Sequence, residues 1–305
     1  MRTLERYRTP AAFRDAIDQR LKTDAHGMGI GFVHRRQMFV YERFLARLST
    51  VLDGDFIVTG GVALEFLLTR ARTTKDIDLH FRVGADLALP QLRRAGRLEL
   101  DDYFRFDVAE DPTRAREGVA IEGLGHRVHR FRVTPQLAGV LYGEPFRVDL
   151  MIINPPYYQP NEIEGSDLLG YLGIAPVRFP VCPPEIAVAE KLHAYTKPRP
   201  RTNSRMRDLP DIGLLASHCT FDCQQLASTI SVAFDHYGTH PVPDLLPTPP
   251  ADWAPRYAKL AHDNDLPWLD IEALSVAVRT FVEPVLAGGS AEWDPAAWTW
   301  KARQL

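Results

Sequence analysis

The chain has 305 residues with a formal net charge of −3, 45% hydrophobic and 25% charged, the composition of a soluble globular protein with room for one large domain or two ordinary ones. That balance excludes a uniformly basic surface, so any site for a polyanion must be local. Three cysteines (Cys182, Cys219, Cys223) are too few for a disulfide framework and lack the paired spacing of a zinc site, and no apolar run reaches the ~18 residues of a membrane span.

In chain order, 10–23 and 35–52 have helical spacing, the second carrying Phe39, Phe44, Leu45 and Leu48. The N-terminal stretch is a charged helix without a signal-peptide core, so a cytoplasmic location and no membrane partner are expected. A strand over 55–59 stops at Gly60-Gly61, a helix covers 61–70, and a second strand over 76–83 opens with Asp76 and Asp78. A helix over 87–99 precedes three strands, 103–108, 127–133 and 145–153, and a short strand lies within 176–181. From Pro183 onward the pattern is almost wholly helical, with helices starting at Pro183 and near 207–218, 222–238, 252–263 and 270–287, and a proline-rich loop at 241–250. The expected architecture is α+β, a domain of strands and helices over 1–182 followed by a helical domain over 183–305.

Chemistry concentrates first in 56–83. Residues i and i+2 share a face of a strand, so Asp76 and Asp78 point together while Ile77 and Leu79 face the core. Two carboxylates held that close repel, and a divalent cation such as Mg²⁺, shared with substrate phosphates, relieves the repulsion. A Gly-Gly turn opening a helix lets backbone N–H groups approach a phosphate. Either motif alone is common in purely structural roles; strand, Gly-Gly, helix and Asp-x-Asp in that order read as a site for phosphoryl or nucleotidyl transfer.

Asp149 stands alone in the apolar strand 145–153, where an acid is costly unless it binds metal or is paired. It is either the third carboxylate of a two-ion site or a salt-bridged or capping acid. Arg70 and Arg72 precede the acids, and a guanidinium there neutralises triphosphate oxygens or pairs with Asp76 or Asp78. In 190–212, Lys191, Lys197, Arg199, Arg201, Arg205 and Arg207 occur without an intervening acid, a local basic run able to hold a triphosphate or an RNA backbone. Lys191 lies in an apolar helix and must be directed at a partner, whereas Arg199 and Arg201 read as solvated loop. Asp208 and Asp211 share a helical face; one caps the helix while the other meets Lys191, a substrate amine or water. His80 and His193 lack metal-ligand company and read as structural.

The motifs Gly60-Gly61, R-x-T-x-K-D-I-D-L (Arg72 to Leu79), E-K-L-H-A-Y (Glu190 to Tyr195) and R-D-L-P-D-I (Arg207 to Ile212) resemble, in order, those of the AbiEii-type nucleotidyltransferases. That family includes toxin halves of toxin–antitoxin pairs and belongs to the DNA polymerase β-like superfamily. The resemblance spans roughly 55–215; past about 220 nothing is recognisable. It implies a nucleotidyltransferase core with a mixed sheet flanked by helices, Mg²⁺, a nucleoside triphosphate and a cognate antitoxin. For the MenT branch it further implies transfer of a pyrimidine nucleotide, from CTP or UTP, to the 3′ end of tRNA, which blocks aminoacylation and translation. Residue by residue, Gly61 falls at a triphosphate-cradling position where several relatives carry serine. Asp76 and Asp78 match the metal-binding acids, Lys191 the triphosphate-contacting lysine and Asp211 the acid of the last motif, which also contains Asp208.

The site set that follows is Asp76, Asp78, Lys191 and Asp211 for catalysis, Gly60, Gly61, Arg72, Lys191 and Asp208 for the nucleotide, and Asp76, Asp78 and Asp149 for metal. The segments 127–132 (RVHRFR) and 197–207 are candidate tRNA-backbone contacts. Two other readings stand beside the tRNA-modifying toxin. One is a nucleotidyltransferase acting on an aminoglycoside-like small molecule or a protein hydroxyl; the other is an inactive nucleotide-binding module.

Overall fold

The computed structural model describes residues 7, 9–68, 74–111, 119–120, 127–153, 155–199 and 205–302. Two long helices, α1 (Pro10–Met28) and α2 (Phe32–Leu52), lead into β1 (Phe56–Thr59), α3 (Gly60–Leu67), β2 (Asp76–Phe81) and α4 (Ala85–Arg97). Strands β3 (Phe104–Glu110), β4 (Val119–Ala120), β5 (Arg127–Leu137), β6 (Val140–Leu141), β7 (Phe146–Ile152), β8 (Asn161–Glu164) and β9 (Arg178–Val181) follow. The chain then turns helical: α5 (Pro184–Thr196), α6 (Asp208–His218), α7 (Cys223–Tyr237), α8 (Ala254–Asp263) and α9 (Ile271–Leu286), with a last hairpin of β10 (Glu292–Asp294) and β11 (Thr299–Lys301). Among the described residues no helix is long and apolar enough to cross a membrane.

The main sheet runs β3-β5-β7-β2-β1-β9-β8, with β4 and β6 on β5. It is mixed: β2 and β7 are parallel, as are β1 and β9, while β1/β2, β5/β7 and β8/β9 are antiparallel. Side-chain alternation divides it into two unlike faces. On one, Phe56, Val58, Ile77, Leu79, Phe81, Val133, Val148 and Leu150 join Phe39, Phe44, Leu45 and Leu48 of α2 in a single apolar cluster. Phe44 sits between Phe106 and Phe146, with ring centroids 5.2 and 5.5 Å away. On the other face Ile57, with Leu64 and Leu68 beside it, packs into the core of the C-terminal helices, and the rest carries the polar residues described below. β1 is buried along its whole length, which is why its sequence reads as an unbroken apolar run.

An ion cluster ties the first face together. Arg47 donates to Asp102 from Nη2 and Nη1 at 2.6 and 3.0 Å and to the Leu98 and Phe104 carbonyls at 3.0 and 2.9 Å. Arg43 Nε adds a 2.7 Å bond to the same carboxylate. Burial alone would raise the Asp102 carboxyl, but the Arg47 and Arg43 charges outweigh it and hold it below its ordinary range. This clamp fixes α2 to the start of β3.

The structure departs from the sequence expectations locally. The helix expected over 61–70 stops at Leu67, with Leu68 already extended. β5 runs past 133 to Leu137 through Pro135, whose carbonyl accepts the Tyr142 N–H at 3.1 Å. β8, with Ile163 its sole apolar residue, is an edge strand without alternating hydrophobicity. The C-terminal hairpin was hidden by its three-residue strands; it is held by Trp293 and Trp300 against Phe281 of α9, with centroids at 4.9 and 5.6 Å.

Asp102→Asn leaves two buried guanidinium groups short of a counter-charge and is expected to cost about 3–5 kcal/mol in urea unfolding at neutral pH. Asp101→Asn, at the exposed neighbour, should stay within ~0.5 kcal/mol. Because the Asp102 carboxyl is depressed, its contribution is present above pH ~4 and fades as pH falls through the folded-state value. A gap between wild type and Asp102→Asn that persists undiminished at pH 2.5 would contradict this.

Candidate active site

β1 passes into α3 with no intervening loop, and Gly60 makes the junction at φ +66°. Two facts demand glycine there. That conformation is disfavoured for other residues, and a Cβ would stand 1.9 Å from Asp78 Oδ2. The Asp78 carboxylate therefore lies directly over the backbone at the start of α3. A Cβ on Gly61 would stand 2.8 Å from Thr74 Oγ1. Glu65, buried in α3, accepts from the Thr74 N–H at 2.6 Å and faces His34 Nε2 at 3.2 Å, which fixes where the chain re-enters β2. Arg70 and Arg72 lie outside the described residues.

Strand register assembles the acids. Parallel pairing of β2 with β7 sets Asp78 opposite Asp149 and Asp76 opposite Arg147. Antiparallel pairing of β5 with β7 sets Arg130 opposite Asp149 and Arg132 opposite Arg147. All six share the sheet face that the C-terminal helices approach. Arg147 grips Asp76 with two hydrogen bonds, Nε to Oδ1 at 2.8 Å and Nη2 to Oδ2 at 2.9 Å. Arg130 grips Asp149 in the same fork, through Nε at 2.6 Å and through Nη2. Asp149 is therefore salt-bridged, one of the readings of it from sequence, and it is also the neighbour of Asp78. Asp78 is half-buried. Its carboxyl is pushed up to about 7 by burial first and by repulsion from Asp149 and Asp76, with Lys191 and Arg205 pulling the other way. Among the described residues no three acid, histidine or cysteine side chains converge closely enough to hold a metal ion.

The second wall comes from α5 and α6. Lys191 Nζ donates to Asp211 Oδ2 at 2.6 Å in a buried pair, the partner that an apolar helix position requires. Asp208, at the first turn of α6, faces Arg205 at 4.0 Å. Glu190, beside Lys191, accepts from Tyr157 at 2.6 Å and Tyr237 at 3.2 Å. His80 bonds Tyr158 through Nδ1 at 2.8 Å, and His193 bonds Thr239 through Nε2 at 2.7 Å. Burial pushes His193 down to about 3, consistent with a structural imidazole.

Gly60, Asp76, Asp78, Asp149, Lys191 and Asp211 thus gather around one end of the sheet, with Gly61 and Asp208 on its margins. Two arginines that hold the acids differ from Arg70 and Arg72. Arg130 was singled out from sequence only as a candidate RNA contact, and Arg147 was missed, although the spacing Arg147-x-Asp149 on a strand signals a shared face. Of the other basic residues, Arg132 is exposed, while Arg199 is folded back on the Ala194 carbonyl at 2.6 Å instead of being solvated.

The chain matches the sequence profile described as nucleotidyl transferase AbiEii toxin, type IV toxin–antitoxin system, over residues 43–281, a span that contains every residue of this site. No curated protein matches it. Among solved structures it is similar to MenT4, a nucleotidyltransferase toxin from Mycobacterium tuberculosis H37Rv, with TM-score 0.53, 16% identity and 92% of each chain covered. It is also similar to JHP933 from Helicobacter pylori, with TM-score 0.44 and 16% identity, covering 83% of this chain and 92% of that one. At such identities the MenT4 likeness speaks for the fold alone. The family profile covers most of the sequence, and with a mixed-sheet core of matching fold the chain belongs to the AbiEii nucleotidyltransferase toxins of type IV toxin–antitoxin systems.

Proposed function

We propose that this protein transfers a nucleoside monophosphate, a pyrimidine from CTP or UTP, to the 3′ end of tRNA in the cytoplasm. Loss of a free acceptor end would halt aminoacylation, and a cognate antitoxin would keep the enzyme in check. The observation that carries the reading is the register that stacks Asp76, Asp78 and Asp149 on one face beside Gly60, with Lys191 fixed across from them. The tRNA acceptor and the pyrimidine follow from the MenT resemblance. A cationic acceptor of the aminoglycoside kind fits less well, because it would meet Arg130, Arg147 and Lys191.

The donor set suits Mg²⁺. It is oxygen-only, and Asp78, raised by burial first and by repulsion from Asp149 and Asp76 next, is a carboxylate whose charged form a divalent cation would stabilise. Asp76, Asp78 and Asp149 would hold it after turning from the positions in which Arg147 and Arg130 engage two of them. Bound there, the ion would stabilise the charge that builds on the transferring phosphate oxygens. The chain's own residues do the positioning. The start of α3 offers backbone N–H groups to the triphosphate. Asp211 holds the Lys191 ammonium in place beside the acids, where it offsets phosphate charge. The terminal ribose hydroxyl oxygen bonds to the α-phosphorus as the bond to the β-phosphate oxygen breaks. The hydroxyl proton passes to a carboxylate of the cluster, and pyrophosphate leaves. Rate acceleration comes mostly from alignment and charge neutralisation.

Incubation with total tRNA, Mg²⁺ and each α-³²P-labelled nucleoside triphosphate tests this directly. Label should enter the tRNA band with CTP or UTP and fall by at least about 10²-fold in Asp78→Ala. Label in no tRNA with any nucleotide would refute the acceptor.

Asp78 makes a second prediction, for stability. Between the ordinary 3.8 and the folded value of about 7, the folded chain retains a proton that the unfolded chain has lost, so folding weakens as pH rises through that window. Asparagine carries no such penalty. In chelator, Asp78→Asn should match wild type near pH 4 and exceed it by roughly 1–2 kcal/mol at pH 8, after allowance for solvent screening. A wild type that is the more stable protein at pH 8 would contradict the raised Asp78 carboxyl.

A further inference from the structure

The arrangement of arginines around the acids carries more than charge balance. Asp76 and Asp149 are both engaged by bidentate guanidinium forks, so a cation that takes them competes with Arg147 and Arg130 for the same oxygens. Those arginines stand on one side of the acids. In the strand order β5-β7-β2-β1, Arg130 and Arg132 belong to β5 and Arg147 to β7, whereas Gly60 and the start of α3 adjoin β1. The carboxylates therefore separate a nucleotide-binding side from an arginine-bearing side.

Arg132 sits directly opposite Arg147 on the open face and is exposed. Like charges at directly opposed positions destabilise a sheet, and Arg147 also feels the charge of Arg130. Asp76 offsets this repulsion while it is held; once Asp76 turns to a cation, three guanidinium groups are left together. Farther out on the same face the polar groups are already matched, Arg105 with Glu99 at 2.6 Å and Gln136 with Asp107 at 2.9 Å.

We propose that Arg147, Arg130 and Arg132 form the site for the acceptor's terminal phosphodiesters, and that Arg147 and Arg130 exchange their carboxylates for those phosphates when a divalent cation occupies Asp76 and Asp149. This rests on the reading above that the acceptor is a polynucleotide. The exchange leaves no charge stranded: each carboxylate passes from guanidinium to cation, and each guanidinium from carboxylate to phosphate, its preferred bidentate partner. Arg147 releases first, because its side chain is 47% exposed and Asp76 30%, against 24% and 13% for Arg130 and Asp149. Exposed ion pairs hold weakly.

Two variants test the proposal in the full-length chain, Arg147→Gln and Arg132→Gln, with thermal melting to check that each is folded. The probes are Mn²⁺, titrated by calorimetry, and a fluorescein-labelled tRNA whose binding with Mn²⁺ is followed by anisotropy across a salt series. Arg147→Gln should bind Mn²⁺ about 3–10-fold more tightly, having lost the competitor for Asp76, and bind tRNA more weakly. Arg132→Gln, which makes no contact with the acids, should leave Mn²⁺ binding unchanged and weaken tRNA binding, with the salt slope lowered by about one. Unchanged tRNA affinity in both variants, beside a wild type that labels tRNA, would overturn the inference alone. A wild type that neither binds nor labels tRNA would overturn the function and this site with it.

Discussion

The register of β2 against β7 is the constraint on which the rest depends. Side chains alternate along a strand, so a slip of one residue would send the acids into the core and bring apolar residues to the surface. What pins the register is not on the acidic face. It is the complementary set Ile77, Leu79 and Phe81 from β2 beside Val148 and Leu150 from β7, all buried in the cluster beneath α2. Apolar burial on one side of the sheet holds carboxylates at a separation they would not choose on the other. Gly60 completes the arrangement by admitting the Asp78 carboxylate against backbone that any Cβ would occupy.

The ion pairs form a series ordered by access to water. The Asp102 pairs with Arg43 and Arg47 are sealed and belong to the scaffold. Lys191–Asp211 is nearly as buried but stands at the edge of the site. Arg130–Asp149 is partly open, and Arg147–Asp76 is the most open of these. Since desolvation sets how costly it is to separate two charges, the same chemistry yields permanent struts at one end of the series and exchangeable contacts at the other.

Much of this was legible in the sequence. The strand, helix and strand expected over 55–83 are present in that order, with the helix ending at Leu67 and the second strand at Phe81, because strand alternation, a Gly-Gly junction and helical spacing are local signals. Lys191 in an apolar helix announced a partner, and Asp211 is that partner. The arginines were not legible in the same way. Arg147 and Asp76 are far apart in the chain and meet only because β7 lies beside β2 in the sheet order, a fact that no short window contains. Tyr157 and Tyr237 reach Glu190 from separate segments for the same reason. β8 and the tryptophan hairpin were missed because a strand of three or four residues, exposed on one side, carries too few positions to establish a period.

Topology also times the appearance of the site. A chain leaving the ribosome presents β1 and β2 early, but the acids lack their neighbour until β7 emerges, and Lys191 lacks its counter-ion until α6 follows. β1 must wait for β9, a distant strand, before its outer edge is paired. Pairings of such long range form slowly, and domains fold as their last required elements arrive. The assembled site therefore cannot exist until synthesis has passed Asp211, however early its first acids emerge.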